Sequence, residues 1–265
     1  MKLRYNPAST GLAWVKLGVR TFFRQPLALA GLFFMFMATL SVLSIIPLLG
    51  TAIGVALVPA ATLGLMAATR EAEAGRFPMP SVLISAFRHG AERRRDMLML
   101  GALYAGALLV VLALGALLAG APPTAGEGGE LTPEMVREAF DRPGVWLAML
   151  LYVPVLMVFW HAPALVFWHR VAPVKSLFFS LLACWANKGA LLFFTLGWVG
   201  VFMVAGLFLG LIASLLGGTE GISVALYPAV LLMAAMFHTS IWFTVRDSFD
   251  TEDATAPAPS DNQAG

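Results

Sequence analysis

Hydrophobic positions run through this chain in long unbroken stretches, and the short segments between them hold nearly all of its charge. Six stretches, 27–49, 53–69, 97–120, 145–168, 190–216 and 222–245, contain no Asp, Glu, Lys or Arg. At 1.5 Å per residue each is long enough, or nearly so, to cross ~30 Å of hydrocarbon as a helix. The second follows an uncharged Pro47-to-Gly54 turn, which leaves its start open by several residues.

The intervals between the spans carry a helical period of their own. Trp14, Val15, Gly18, Val19 and Phe22 fall on one face at 100° per residue, with Lys16, Arg20 and Arg24 on the other. The offsets recur in Val82, Leu83, Ala86, Phe87 and Gly90, opposite Ser81, Ser85, Arg88 and Arg95. They recur again in Leu177, Phe178, Leu181, Leu182 and Trp185, opposite Ser176, Ser180 and Asn187, and SVLISAF aligns with SLFFSLL at an offset of 95 residues. Each stretch precedes two spans. The pattern predicts an all-α integral membrane fold of six transmembrane helices with three interfacial amphipathic helices at about 12–24, 80–95 and 174–188, a threefold repeat of interfacial helix plus hairpin. Amphipathicity imposed on any short loop at headgroup level is the simpler alternative.

Composition agrees: 59% of residues are apolar and 12% charged, against the roughly 25% charged residues of soluble domains. With both termini cytoplasmic, 15 of the 17 Lys and Arg residues fall on the inside, and Arg137 and Arg142 on the outside. This asymmetry predicts a multi-pass membrane protein with both termini inside, N-in and C-in. The first apolar run begins only at Leu27 and lacks a small-x-small cleavage site, so a secretory signal is not expected. The single cysteine, Cys184, excludes an intramolecular disulfide and reads as a small apolar filler.

The segments GLMAATREAEAGRFP, FWHAPALV and SLFFSLLACWANKGALLFF resemble a family of uncharacterised six-span proteobacterial inner-membrane proteins. More distantly, the plan is similar to the membrane domain fused to some glycerophosphodiester phosphodiesterases. The resemblance covers most of residues 10–246 and implies a fold and a location; the phosphodiesterase catalytic domain is absent, so no activity transfers with it.

Residues 1–246 are expected to form one membrane domain. The sizeable outer loop, 121–143, holds five acids against two arginines, and Thr132 and Pro133 read as the cap and first residue of a short helix. The acidic tail, 247–265, is nearly free of large apolar residues and is expected to be disordered.

Chemistry is sparse. The chain has no H-E-x-x-H, G-x-S-x-G or G-x-x-x-x-G-K-[ST], and no span contains an acidic residue. That counts against a hydrolase and against an ion-driven carrier, and no catalytic residue or cofactor is expected. His161 and His238 lie nine and eight residues before Arg170 and Arg246, which places both ~12 to 14 Å below the inner surface. Two readings stay open for them: ligands of a haem or metal, or interhelical hydrogen bonds with Thr239, Ser240 and Tyr152 as partners. Pro154 and Pro163 should bend the fourth span. Gly50 with Gly54, Gly206 with Gly210, and Ala102 with Gly106 offer close helix approach, within one chain or in a homo-oligomer.

The functional expectation is a non-catalytic protein engaging lipid headgroups or another membrane protein. The headgroup candidates are Lys16, Arg20, Arg24, Arg88, Arg93, Arg94 and Arg95. Membrane lipids are the expected partner, with another membrane protein or a second copy of the chain as open alternatives and no nucleic acid. A conduit or transporter for a lipid or small solute is the second reading, and a haem- or metal-binding protein the third.

Overall fold

The computed structural model describes residues 2–119, 137–138, 140–215 and 220–250. It is helical throughout, apart from an antiparallel pair of two-residue strands, β1 (Lys2–Leu3) with β2 (Phe249–Asp250). The helices are α1 (Thr10–Arg24), α2 (Pro26–Ser44), α3 (Leu49–Glu73), α4 (Ser85–Arg88), α5 (Ala91–Ala119), α6 (Pro143–Trp160), α7 (Ala162–His169), α8 (Pro173–Ala186), α9 (Lys188–Leu215) and α10 (Glu220–Ser248), with a 3-10 turn at Pro80–Ile84 before α4. Six helical segments are long and apolar enough to span a membrane: Pro26–Ser44, Leu49–Glu73, Ala91–Leu117, Pro143–His169, Lys188–Ile212 and Pro228–Ser248. The uncertain second span starts at Leu49, after a turn in which Leu48 takes a left-handed φ of 60°. Thr132 and its expected cap lie outside the described residues, as does the tail from 251.

The chain divides into two compact units, one of residues 27–185 and one joining residues up to 26 with those from 186 onward. In the first of these, α3 and α5 meet where a Cβ on Gly101 would strike the Ala56 carbonyl, and α3 meets the 3-10 turn where one on Gly64 would strike Leu83. Leu63, Met97, Leu100, Phe159, Val166 and Phe167 belong to the buried core these elements share. Tyr104 and Phe159 pack edge to face at 5.0 Å, and the Tyr104 and Tyr152 hydroxyls hydrogen-bond at 3.2 Å.

In the other unit α1 docks on α9 and α10. Gly11 abuts the Ala190 carbonyl and Gly18 abuts Ser240, each with no room for a side chain. Trp14 packs edge-on against Phe194 at 6.3 Å and donates its indole N–H to Asp247 at 2.9 Å. Trp198 donates to Ser240 at 3.0 Å and meets the Phe237 ring at 5.6 Å. Asn187, at the head of α9, accepts from the Asn6 backbone and donates to the Arg4 carbonyl. Order therefore extends past Arg246: Asp247 is held by Trp14 and Asn6, and Phe249 is buried.

Three expected features take a different form. The segment 80–95 is no single helix, because Gly90 adopts φ 100° and α5 begins at Ala91, so Arg93, Arg94 and Arg95 open a spanning helix. The apolar face of α1 is buried in protein at Trp14, Val15, Gly18 and Phe22, whereas α8 buries the opposite face, Ser176, Ser180, Ala183 and Cys184, and exposes Phe178 and Trp185. The same sequence offsets thus point inward in one helix and outward in the other. Of the expected close-packing glycines, Gly50 and Gly54 meet Leu43 and Leu40 of the preceding helix, while among the described residues nothing lies within 4 Å of where a Cβ on Gly106, Gly206 or Gly210 would stand.

Candidate functional site

The opening of the fourth span is local chemistry imposed by proline. Pro163 occupies the first turn of α7, and the helix divides at His161. Proline has no N–H and clashes with the carbonyl one turn back, so the ladder opens upstream of it. Ser180 of α8 fills the gap: its hydroxyl accepts the His161 backbone N–H at 2.9 Å and donates to the Met157 carbonyl at 2.8 Å. The His161 ring is fully buried, with Nδ1 3.5 Å from Cys184 Sγ. His238 belongs to the other unit, where its Nδ1 lies 2.9 Å from the Ala234 carbonyl of its own helix. Of the partners expected for these histidines, Tyr152 meets Tyr104, Ser240 bonds Phe237 and Trp198, and Thr239 bonds Ala235. Among the described residues no group of three or more His, Cys, Asp or Glu is placed to hold a metal ion.

The larger concavity lies where α3 and α7 end. Gly75, at φ 76°, closes α3 with the Gly75 N–H on the Ala72 carbonyl and the Arg76 N–H on the Glu71 carbonyl. A left-handed residue after the last helical turn produces this paired closure. It folds Arg76 back to pair with the Glu71 carboxylate. Beside that pair is a cavity of about 610 Å³, walled by Ala67, Arg70, Glu71 and Arg76 from the α3 end. Ser81, Val82, Ser85, Arg88 and His89 form the second wall, and Phe167 and Trp168 the third. The Arg70 guanidinium stands over the Trp168 ring at 5.9 Å. Ser85 Oγ is enclosed and has no hydrogen-bond partner among the described residues.

A second cavity of about 560 Å³ lies next to the first and shares His89 with it. Gly90, Ala91, Glu92, Arg93 and Asp96 from the start of α5 line it, with Val166 and Arg170 from the end of α7. The first-turn amides of a helix carry partial positive charge, which adds to that of the arginines. Phe167 stands beside both cavities, with the His89 ring edge-on at 5.0 Å and the Arg93 guanidinium 5.3 Å from its centre. His89 Nδ1 is 2.8 Å from the Ser85 carbonyl. A carbonyl only accepts, so Nδ1 carries a proton and donates it there.

Of the headgroup candidates read from the sequence, Arg88 and Arg93 line these cavities, Arg94 and Arg95 are exposed on the first turns of α5, and Lys16, Arg20 and Arg24 are exposed on α1 in the other unit. Arg70, Arg76, His89, Trp168 and Arg170 were not singled out. Their signals were present: two arginines flank the helix-closing Gly75, a histidine precedes Gly90, and an aromatic–basic pair ends the fourth span. Arg170 holds a left-handed φ of 53°, which turns the chain out of α7 at the cavity rim.

Among the described residues, six helical segments long and apolar enough to cross a bilayer define a multi-pass membrane protein of the all-α class. The chain is 35% identical to a protein of Burkholderia thailandensis named as a probable inner membrane protein, over 97% of each chain. It belongs to that family of inner-membrane proteins. No protein-family model matches the chain, and no solved structure does.

Proposed function

We propose that this protein is a non-catalytic membrane bundle that holds anionic lipid headgroups at its cytoplasmic surface. The observation that carries the reading is the first basic cavity, where Arg70, Arg76 and Arg88 converge beside Trp168 at the end of two spanning segments. Arginine forks match phosphate geometry, and an indole suits the depth at which headgroups meet acyl chains. With the termini inside, the cavity faces the leaflet-side charge that basic residues favour. Lys16, Arg20 and Arg24 add attraction from the exposed face of α1, about 1 kcal/mol for each basic residue near an anionic surface.

The threefold plan belongs to the same proposal. The 3-10 turn and α4 pack on α3 of the hairpin before them, α8 bonds the α6–α7 break of the hairpin before it, and α1, with no hairpin before it, packs on the last, α9 and α10. These are three short helices at hairpin ends, of which α1 and the 80–88 segment turn the apolar face inward and α8 the opposite one. The distant resemblance to a phosphodiesterase membrane domain bears on this plan alone.

Lipid co-purified with the full chain from native membranes tests the reading. Arg70→Gln combined with Arg88→Gln should lower retained phosphatidylglycerol and cardiolipin several-fold relative to phosphatidylethanolamine. An unchanged lipid profile would sink it.

A further inference from the structure

We infer that the two cavities flanking His89 form one site for a lipid carrying two phosphodiesters joined by a short hydroxylated linker, the cardiolipin type of headgroup. The inference rests on the headgroup reading and narrows it. Each cavity is the size of a small-ligand pocket, about 610 and about 560 Å³, and each is lined by at least two guanidiniums. The first cavity sets Arg70, Arg76 and Arg88 against Glu71, and the second sets Arg93 and Arg170 against Glu92 and Asp96, so each holds at least a pair of guanidiniums for one phosphodiester.

The shared wall fits the linker. His89 stands between the cavities with its Nδ1 proton committed to the Ser85 carbonyl. Its Nε2 is left to meet the linker, and the hydroxyl of the glycerol that joins two phosphates can both donate and accept a hydrogen bond. Phe167 fixes the wall by packing His89 edge-on and bearing the Arg93 guanidinium. One phosphate then sits among Arg70, Arg76 and Arg88, and the other between Arg93 and Arg170.

Native mass spectrometry of the delipidated full chain titrated with cardiolipin, with phosphatidylglycerol and with pyrophosphate is the test. Phosphatidylglycerol carries the same glycerol chemistry with one phosphate, so it controls for charge attraction alone. The expected result is one cardiolipin per chain, bound at least tenfold more tightly than phosphatidylglycerol at equal phosphate. Arg88→Gln and Arg170→Asn should each bring cardiolipin down to the phosphatidylglycerol level, while Arg137→Gln should not. Asparagine tolerates the left-handed backbone at 170, so that variant keeps its fold. Equal binding of the two lipids, both weakened by Arg88→Gln, would overturn the two-phosphate site and leave the headgroup reading standing. If neither lipid binds, both fail. Pyrophosphate displacing cardiolipin at matching concentration would overturn the lipid source in favour of a soluble diphosphate.

Discussion

Ser180 stands in the backbone ladder of another helix, its hydroxyl accepting the His161 N–H at 2.9 Å and donating to the Met157 carbonyl at 2.8 Å. Those two groups would bond each other in an unbroken α-helix. Pro163 opens the turn, and a side chain from α8 restores both bonds while locking α8 to the break. The helix is bent and sealed by protein.

Removing that hydroxyl should therefore cost more than an ordinary interhelical contact. Ser180→Ala leaves the buried His161 N–H without its acceptor and the Met157 carbonyl with only the weaker Cys184 thiol, so the cost should be about 1–3 kcal/mol. Cys184→Ala, which removes only a thiol 3.4 Å from the same carbonyl, should cost less than about 1 kcal/mol. Unfolding in mixed micelles, followed by circular dichroism, compares the two. Equal stabilities would mean the break is held by something other than Ser180.

Glycine substitutions should sort by contact, irrespective of spacing motif. A methyl at Gly11, Gly18, Gly64 or Gly101 meets the backbone or Cβ of a neighbouring element, and such overpacking costs about 1–3 kcal/mol. Gly206→Ala and Gly210→Ala meet nothing within 4 Å among the described residues and should stay within about 0.5 kcal/mol of the parent or gain slightly from helix propensity. Melting temperatures of the six single variants in detergent would decide it. A loss at Gly206 or Gly210 matching that at Gly11 would point to a partner on that face.

Orientation rests on charge. Of the 17 basic residues, 15 fall on one side of the six-span map, and short loops rich in Lys and Arg stay in the cytoplasm. Alkaline phosphatase fused after Gly126 should be active, and fusions after Arg76 or Lys188 should be inactive, with green fluorescent protein giving the reverse pattern. An active phosphatase after Arg76 would put the basic cavities on the periplasmic side and remove the anionic inner leaflet from the argument.

The spans were legible because bilayer chemistry writes itself directly into sequence: a charge-free run of this length has few other uses, and observed boundaries moved mainly where an uncharged turn or a charged first turn blurred the edge, at Leu49 and Ala91. The short helices were legible as elements but not in their packing. Periodicity identifies two faces, and whether protein or lipid covers the apolar one depends on what arrives later in the chain, so α1 and α8 read alike and bury opposite sides. The basic cavities were legible least. Their walls come from three segments with Arg70 and Arg170 a hundred residues apart, and only the closures at Gly75 and Gly90, both left-handed, turn those segments toward one another.

Cys184 gives a pH-dependent test of the seal around the helix break. Burial in α8 pushes its thiol up to about 12, whereas an unfolded cysteine ionises near 8.5. Between those values the unfolded chain has released its proton and the native one retains it, so stability falls as pH rises, by about 1.4 kcal/mol per pH unit at most. The Cys184→Ala variant should lack that slope. At pH 8 the native thiolate fraction is lower than that of a free cysteine by about three orders of magnitude. Maleimide should therefore label the folded protein negligibly within an hour and label it fully in denaturing detergent. Ser180→Ala, which loosens the contact beside it, should raise the native rate. Rapid labelling of the folded parent would show that α8 opens readily, and the bonds between Ser180 and the break would then be too transient to carry the stability assigned to them.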